Sequence, residues 1–404
     1  MEHKKKRLLF VINTLGRAGA EIALITLLNK LKEEDAELSL LVLTGQGELI
    51  DDVPQNVKVL NEDFCSESVL TAKGRKILRK KCLNALLGKA GLIRDFGYLF
   101  SNFFSMLFRR RVQPDKLMWR VLADTAQKSE DEYDLAVAFL EGGSTYYVAE
   151  HVKAKAKVAF IHVDYEMSGY NARLDRGCYE CFDRIFAVSN ELREQFLRLY
   201  PGYSSKTLGF NNIIDVETVK QKSLEPGGFE DDYEGVRLLT IGRLTAQKSI
   251  EVSVAAMKLL KDKGLQIRWY VLGEGDRRKQ LEKLIAQNGL DEDFILCGAV
   301  DNPYVYLAQA DIYVHATGYE GKSIAVQEAQ ILGKPIIASD CSGNRELIND
   351  REDGLLTELS AEAIARAIEE MLNNREMMTD FSVRSKCKYR ETTNIICKLM
   401  ELCR

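Results

Sequence analysis

The sequence predicts an α/β protein of two domains, each built on a parallel β-sheet with helices on both faces. Short apolar runs alternate with stretches of helical periodicity along most of the 404 residues. Runs that are apolar on both faces and are joined by helices are typical of parallel sheets. A chain of this length also exceeds what a single hydrophobic core usually serves, which favours two domains.

Apolar runs mark the expected strands, and the periodic stretches between or after them mark helices. The strands expected in the first half are Leu8–Asn13, Leu38–Leu43, Leu135–Leu140, Val158–Val163 and Ile185–Val188. Those expected in the second half are Arg237–Ile241, Gln266–Leu272, Phe294–Cys297, Ile312–His315 and Pro335–Ala338. The expected helices are Ala20–Leu31, Glu191–Tyr200, Ile250–Lys261, Arg277–Gln287, Ile324–Leu332 and Ala361–Leu372.

The alternation is interrupted at residues 211–235, which we interpret as a linker. This segment contains Pro226-Gly227-Gly228, followed by a cluster of acidic residues, Glu230, Asp231, Asp232 and Glu234. Such a composition is typical of exposed connections between domains. The predicted domains are therefore residues 1–210 and 236–379. Residues 380–404 form a tail with a further helical pattern, Cys387–Cys403, and no strand after it.

Composition argues against several classes of protein. The formal net charge of −4 speaks against a nucleic-acid partner, because phosphate contacts require a basic surface. The nine cysteines follow no disulfide framework and indicate reduced thiols in a cytosol. Cys178 and Cys181 form one C-x-x-C pair, but a zinc site needs four ligands and no second pair follows, so buried thiols are favoured.

The beginning of the sequence predicts a cytoplasmic protein. The basic residues of 1–7 run directly into the apolar stretch Leu8–Ile12. That stretch is too short to span a bilayer and is not followed by a small-residue cleavage site. We expect it to be the first strand of a domain and the protein not to be exported.

Residues 66–128 lack the strand–helix alternation and form an insertion in the first domain. Between Lys73 and Arg111 the insertion carries many basic residues against one acid, Asp95, with large apolar side chains interleaved. One interpretation is a pair of buried helices with a solvated basic shoulder. The other is a surface that lies on anionic lipid at the inner face of the plasma membrane without spanning it, which implies a lipid-linked glycan as acceptor.

Glycine-containing loops follow three strands of the second half, at Gly242, at Gly273 to Gly275 and at Gly318 to Gly321. Ligands of α/β proteins bind at the carboxyl ends of parallel strands, where such loops meet. Arg243 follows one strand directly and Lys248 follows at the start of a helix. These cations suit a diphosphate, although a solvated turn explains the same residues.

The segment Glu320-Gly-Lys-Ser-Ile-Ala-Val-Gln-Glu328 carries the strongest chemical signal. Ser323 is predicted to cap a helix that begins at Ile324. Free amides at that helix start favour phosphate oxygens, and carboxylates accept hydrogen bonds from sugar hydroxyls. We expect Glu320 and the amides to point into a cleft, with Glu328 behind them. A polyhydroxylated phosphate ester fits this arrangement.

Five segments occur in order along nearly the whole chain: Gly16-Arg-Ala-Gly-Ala-Glu21, His162 after its strand, Ile241-Gly-Arg-Leu244 with Lys248, Leu272-Gly-Glu-Gly275, and Glu320 to Glu328. Taken together, they resemble the retaining GT-B glycosyltransferases of family 4, whose mark is an E-x7-E motif. The resemblance implies two Rossmann-like domains that face each other across a cleft. The N-terminal domain would bind the acceptor, the C-terminal domain the donor, and the tail would pack back on the N-terminal domain.

The resemblance also implies roles for individual residues. Arg243, Lys248 and the helix start at Ser323 and Ile324 would hold the donor diphosphate, while Gly16 and Gly19 pass close to it from the opposite domain. Glu320 would contact the transferred sugar, Glu328 the ribose, and His162 the reaction centre. The sequence departs from the family pattern at Ala18, where a glycine is common, and at Lys322-Ser323, where Phe-Gly is usual, which leaves the donor sugar open.

These observations predict a retaining transferase that uses a nucleotide sugar, by the family's default a uridine diphosphate sugar. No carboxylate is placed as a covalent nucleophile, and no Asp-x-Asp appears at the donor loops. We therefore expect front-face transfer, with no metal and no cofactor. Two alternatives remain: a nucleotide-sugar epimerase of the same fold, and a non-catalytic subunit that binds nucleotide sugars.

Overall fold

The structure is a computed structural model that describes residues 5–69, 71–87, 91–108, 113–165, 168–388 and 394–403. The chain divides into two compact units. Unit 1 comprises residues 1–213 with 392–404, and unit 2 comprises residues 214–391.

The described residues contain the following strands and helices. The strands are β1 Lys6–Ile12, β2 Ala36–Val42, β3 Val57–Val59, β4 Glu132–Ala138, β5 Lys153–Ile161, β6 Arg184–Ala187, β7 Thr207–Gly209, β8 Val236–Ile241, β9 Ile267–Leu272, β10 Phe294–Gly298, β11 Ile312–His315, β12 Ile336–Ser339 and β13 Leu355–Thr357. The helices are α1 Gly19–Leu31, α2 Ala72–Leu87, α3 Gly91–Phe108, α4 Pro114–Thr125, α5 Gly143–His151, α6 Ala172–Asp175, α7 Asn190–Leu199, α8 Val216–Lys222, α9 Ile250–Asp262, α10 Arg278–Gln287, α11 Pro303–Gln309, α12 Ile324–Ile331, α13 Ser342–Arg345, α14 Ala361–Leu372, α15 Arg375–Lys388 and α16 Asn394–Leu402. Short 3₁₀ turns lie at Glu48–Asp52, Cys178–Cys181, Pro201–Tyr203 and Ala246–Lys248.

Each unit contains one sheet in which all described strand pairs are parallel. The order in unit 1 is β3-β2-β1-β4-β5-β6-β7, and the order in unit 2 is β10-β9-β8-β11-β12-β13. The predicted α/β fold with two parallel sheets is therefore confirmed. In each sheet the order reverses beside the first strand, between β1 and β4 and between β8 and β11. This position is the topological switch point, where α/β proteins usually bind ligands.

The predicted linker is largely part of unit 2. Within residues 211–235 the chain forms α8, whose first turn is capped by the Asp215 side chain accepting from the Thr218 amide. Asp231 of the acidic cluster accepts hydrogen bonds from Arg237 and Arg268, at 2.9 and 3.0 Å, and from the Tyr270 hydroxyl. Arginines on β8 and β9 thus tie this carboxylate to the sheet, so the cluster is not simply a solvated connection.

The insertion at residues 66–128 forms α2, α3 and α4. Tyr98 and Met106 of α3 pack with Leu117 of α4 and Leu174, while Ala85 of α2 packs with the next turn of α4. One side of each helix therefore packs against other residues of unit 1. Among the described residues, none of the helices has the length and apolar character needed to cross a bilayer.

The predicted tail helix differs from the observed one. Cys387 lies at the end of α15, which belongs to unit 2, and residues 389–393 lie outside the described part of the chain. The last helix, α16, is part of unit 1 and contacts α1. Ile395, Ile396 and Leu399 of this helix are buried.

Candidate functional site

The loops after β8 and β9 contact each other through their backbones. A β-carbon on Gly273, which has a φ of +142°, would lie 2.0 Å from the Gly242 carbonyl oxygen, and one on Gly275 would lie 2.1 Å from that of Leu244. Glycine is required at both positions because no side chain fits there. The close approach leaves Arg243 exposed beyond the end of β8.

Lys248 and Glu320 form an ion pair at the switch point of unit 2. Lys248 lies in the 3₁₀ turn that precedes α9, and Glu320 lies in the loop between β11 and α12. The Lys248 Nζ is 2.6 Å from Glu320 Oε1, and each side chain is 12% exposed. The Glu320 carboxylate is therefore paired with a lysine next to it, a contact that the sequence did not reveal, and its orientation toward a cleft stays a prediction.

Neighbouring groups fix the position of the Glu320 carboxylate. Gln247 Nε2 donates to Glu320 Oε2 at 3.0 Å and to the Tyr319 carbonyl at 2.9 Å. The Gln247 carbonyl in turn accepts from the Gly318 amide at 2.8 Å and the Thr317 hydroxyl at 3.1 Å. The loop before Glu320 and the turn containing Lys248 are thus joined at several points, so both charges occupy defined positions.

The electrostatic surroundings favour a charged Glu320. Burial alone would raise the pKa of Glu320, but the positive charge of Lys248 and a contact with His315 hold it well below its usual value. His315 Nε2 is 3.7 Å from the carboxylate. Burial and the nearby lysine lower the pKa of His315, which keeps this imidazole neutral. Lys248 therefore supplies the formal positive charge next to Glu320.

The helix start predicted after Glu320 is confirmed. The Ser323 side chain caps α12, which begins at Ile324, by accepting from the Val326 amide. Both Ser323 and Ile324 are buried. The remaining free amides of this first turn can donate to an anion, as the sequence led us to expect.

Glu328 lies in the second turn of α12 and has a partner that the sequence did not reveal. The carboxyl group is buried, and the Tyr304 hydroxyl of α11 donates to its Oε1 at 2.8 Å. Burial raises the pKa of Glu328 to about 7, although the Tyr304 hydrogen bond opposes the shift. Tyr304 lies on the helix before β11 and Glu328 on the helix after it, and Tyr304 belongs to no motif, so no sequence signal links the two.

The raised pKa of Glu328 predicts a stability that falls with pH. Between its unfolded value near 4.3 and about 7, the native state keeps a proton that the unfolded state releases. Glu328→Gln removes this pH-dependent contribution to the free energy of unfolding. Relative to the native protein, the variant should gain about 2–3 kcal/mol of unfolding free energy between pH 5 and pH 8, measured by urea denaturation. In Tyr304→Phe the hydrogen bond that opposes the raised pKa is absent, so the loss of stability should extend to higher pH. Equal pH profiles of the unfolding free energy for Glu328→Gln and the native protein would contradict the assignment.

Ser249 connects the turn containing Lys248 to α9 in a strained conformation. Its φ of +45° and ψ of +37° lie in the left-handed region, which costs a residue with a β-carbon about 1–2 kcal/mol. Its hydroxyl makes only long contacts, 3.4 Å, with the Ala246 and Gln247 carbonyls.

Ser249→Gly is expected to stabilise unit 2, because glycine adopts this conformation without strain. The gain should be about 0.5–1 kcal/mol after allowing for the greater freedom of glycine in the unfolded chain. The measurement is the thermal midpoint. Ser249→Ala is the matched control, since it removes the hydroxyl and keeps the β-carbon. Equal losses of stability in both variants would show that the hydroxyl contacts outweigh the strain.

In unit 1 the switch point brings together Asn13, Glu141 and His162. Asn13 follows β1, donates to the Glu141 carbonyl at 3.0 Å and accepts from the Ser144 amide at 2.7 Å. The Glu141 carboxylate, which follows β4, accepts from the backbone amide of His162 at 3.1 Å. Burial raises the pKa of Glu141. Sequence reasoning found His162 but missed its two neighbours, because each follows a different strand.

The His162 imidazole is held among aromatic side chains. The ring centroids of Phe139, Phe160 and Phe210 lie 5.0, 6.1 and 6.3 Å from its own. Burial lowers the pKa of His162 to about 3, and the backbone of Phe139 provides one hydrogen bond. Its Nε2 is inaccessible and has no hydrogen-bond partner among the described residues. A buried unpaired nitrogen costs free energy, so a group that binds it would be favoured.

The Gly16–Gly19 loop leads from β1 into α1. A β-carbon on Gly16 would lie no closer than 3.8 Å to another atom, from Glu48. Ala18 has an extended backbone, with a φ of −135°. The Thr14 hydroxyl lies 3.2 Å from the Glu21 carboxylate across the loop. Sterically, the loop therefore needs a glycine neither at position 16 nor at position 18.

Of the predicted site residues, Lys248 and Glu320 come into direct contact. Glu328 lies on the same helix–loop segment, and Tyr313 of β11 is electrostatically coupled to both carboxylates. Arg243 forms no ion pair with the described residues. His162, Gly16 and Gly19 belong to unit 1, and their roles beside the donor stay predictions.

The fold and the switch-point groups define an α/β chain with the GT-B architecture. A solved structure with this fold is that of HepE from Anabaena in complex with UDP-glucose. It superposes with a TM-score of 0.66 at 15% identity and covers 98% of each chain. At this identity the likeness shows the fold alone.

Residues 229–387 match the model of the family described as Glycosyl transferases group 1. This range lies within unit 2 and contains Lys248, Glu320 and Glu328.

Curated relatives agree with this match. A 4-alpha-N-acetylgalactosaminyltransferase of Campylobacter jejuni, whose name specifies a diphospho-undecaprenol acceptor, is 30% identical over 179 residues, or 44% of this chain and 47% of the relative. The amylovoran biosynthesis glycosyltransferase AmsK of Erwinia amylovora is 30% identical over 198 residues, 46% and 48% of the two chains. The chain thus spans about half the length of these relatives.

Proposed function

We propose that the protein is a retaining glycosyltransferase of family 4 that moves a sugar from a uridine diphosphate sugar to a hydroxyl group of a lipid-linked glycan. The observation that carries the proposal is the Lys248–Glu320 pair at the switch point of unit 2, within the segment that matches the group 1 glycosyl transferases. The relatives whose names specify a lipid diphosphate or a polysaccharide support the choice of acceptor.

The donor diphosphate would bind to groups that are already in position. An ammonium group has three N–H donors, so Lys248 can keep Glu320 and still donate to a phosphate oxygen. Arg243 is exposed and can add a planar, two-pronged contact. The free amides at the start of α12 provide a third group of donors. Together they would stabilise the charge that develops on the leaving diphosphate.

The sugar and ribose would be held by the two carboxyl groups of the motif. Glu320 is charged and can accept hydrogen bonds from sugar hydroxyls. Burial raises the pKa of Glu328 to about 7, so below that pH it holds a proton and can both donate to and accept from the ribose. His162 would lie at the reaction centre, beside the sugar. In the front-face scheme, the C–O bond to the diphosphate breaks as the acceptor oxygen bonds to the same face, and the diphosphate takes the acceptor proton.

We expect this transfer to proceed without a metal. Asp124, Glu150 and His151 of unit 1 are within reach of one ion. These three side chains already have partners, however. His151 Nε2 lies 2.6 Å from Asp124 Oδ1, and Arg120 pairs with Glu150. Activity that survives a chelator would support this part of the proposal.

The test of function is a donor screen with purified protein and a lipid-diphosphate glycan. A transferase releases uridine diphosphate only when the acceptor is present, and the proton spectrum of the product reports the retained anomeric configuration. An epimerase would convert the donor sugar without releasing the nucleotide. A binding subunit would bind donor and do neither, and either result would overturn the proposal.

A further inference from the structure

Helix α3 exposes its apolar side and buries a partly polar one. Its exposed residues are Phe100, Phe103, Phe104, Leu107 and Phe108, with exposed fractions of 54, 44, 42, 53 and 88%. Their spacing follows one face of a helix. The buried face contains Asp95, Tyr98, Asn102 and Met106, which are 1, 1, 3 and 7% exposed. An ordinary surface helix would bury the first set and expose the acid and the amide.

Three of the exposed side chains, Phe100, Phe103 and Phe104, form a cluster of aromatic rings. The ring centroids of Phe100 and Phe104 are 4.5 Å apart, and those of Phe103 and Phe104 are 6.2 Å apart at right angles. Exposed apolar patches of this kind mark sites that contact a partner or a membrane. The interpretation of α2 and α3 as buried helices therefore holds for only one side of each helix.

The neighbouring helix α2 adds positive charge and two more exposed leucines. Lys76, Lys80, Leu83 and Leu87 fall on one line of the helix, and all four are exposed. Lys73 and Arg79 are also exposed, Lys73 in a pair with Glu67. Helix α2 contains no acidic residue, and the one acid of α3, Asp95, is buried.

We propose that this docking surface, the exposed sides of α2 and α3, lies in the headgroup region of an anionic lipid bilayer. Aromatic and leucine side chains would enter the boundary of the acyl chains, while the lysines contact anionic headgroups, as in helices that lie on membranes. Lysine stems are long enough to remain beside the apolar residues. A second copy of the same surface is disfavoured because it would bring the same cations together.

This inference rests on the proposed function only for its purpose, which is access to a lipid-linked acceptor. Membrane binding itself needs neither donor nor reaction, so it is tested with the full chain and vesicles alone. Failure of the binding test leaves transfer to a soluble acceptor measurable. Failure of the donor screen leaves the binding result intact.

The test is co-sedimentation with vesicles of phosphatidylglycerol and phosphatidylcholine, compared with phosphatidylcholine alone. The protein should pellet with the anionic vesicles, and salt should weaken the binding. The triple variant Phe103→Ser, Leu107→Ser, Phe108→Ser should lose most of the binding. The double variant Lys76→Gln, Lys80→Gln should weaken the partition by about tenfold or more, since each basic residue contributes separately.

The controls are matched changes on unit 2. Leu224→Ser with Val383→Ser removes residues that are 86 and 57% exposed, and Lys220→Gln with Lys279→Gln removes two exposed lysines. Both should bind vesicles like the native protein, and circular dichroism verifies that every variant is folded. Native protein that stays in the supernatant at low salt overturns the inference. So does a lipid-free dimer that the serine variant abolishes, because the surface would then bind a second copy.

Discussion

Replacing either Lys248 or Glu320 by alanine is expected to reduce glycosyl transfer by about 100-fold to 1,000-fold, the usual effect of removing one group that stabilises developing charge. Each single change should also destabilise unit 2. The pair is mostly buried, and removal of one partner leaves the other as an uncompensated charge, at a cost of about 3–5 kcal/mol for a fully buried pair.

A double-mutant cycle separates the two effects. Lys248→Ala with Glu320→Ala removes both charges, so the unfolding free energy of this double variant should be closer to that of the native protein than the sum of the single changes predicts. Activity should nevertheless stay at the level of the poorer single variant. The exposed pair Lys258–Asp262 on α9 is the matched control, and Lys258→Ala should alter neither property. Full activity in the double variant would contradict the proposed donor site.

Hydrophobic pattern predicted the central strands well because those strands are buried on both faces. The strands β3, β7 and β13, which the sequence did not reveal, are only three residues long and lie at the outer ends of the sheets or beside them. In β3, for example, Val57 is buried while Lys58 is exposed. A pattern so short and so polar does not differ from that of an ordinary loop.

The site was predictable as a set of motif residues but not as a set of contacts. The sequence indicated Lys248 and Glu320 separately, yet their ion pair depends on how the turn before α9 packs on the loop after β11. Gln247, which holds the carboxylate, and Tyr304, which binds Glu328, carry no motif. Partners brought together only by sheet topology leave no local signal in one sequence.

The insertion shows a different limit. Its basic and aromatic composition was evident, but the apolar residues of this segment do not form a single stripe, so the sequence left its buried side open. The structure buries the side with Asp95, Tyr98, Asn102 and Met106. Pattern alone assigns the apolar face of a helix to the core. The packing of α3 against α4 shows that the side of α3 with the exposed phenylalanines points away from the core.

Replacing His162 by alanine is expected to lower turnover by about 100-fold and to change donor affinity only slightly, because no contact with the diphosphate is proposed for this residue. With a pKa of about 3, the imidazole is neutral from pH 5 to pH 9. It should therefore act as a hydrogen-bonding group, and the pH profile of the native enzyme should show no step from its titration. Calorimetric donor affinity and initial rates, measured on the same preparation, separate binding from turnover.

Phe210→Leu is the control for packing, since Phe210 lies against the ring and its loss leaves the imidazole in place. A fall in affinity that matches the fall in rate would make His162 a ground-state binding residue, and an equal loss in Phe210→Leu would assign the effect to packing.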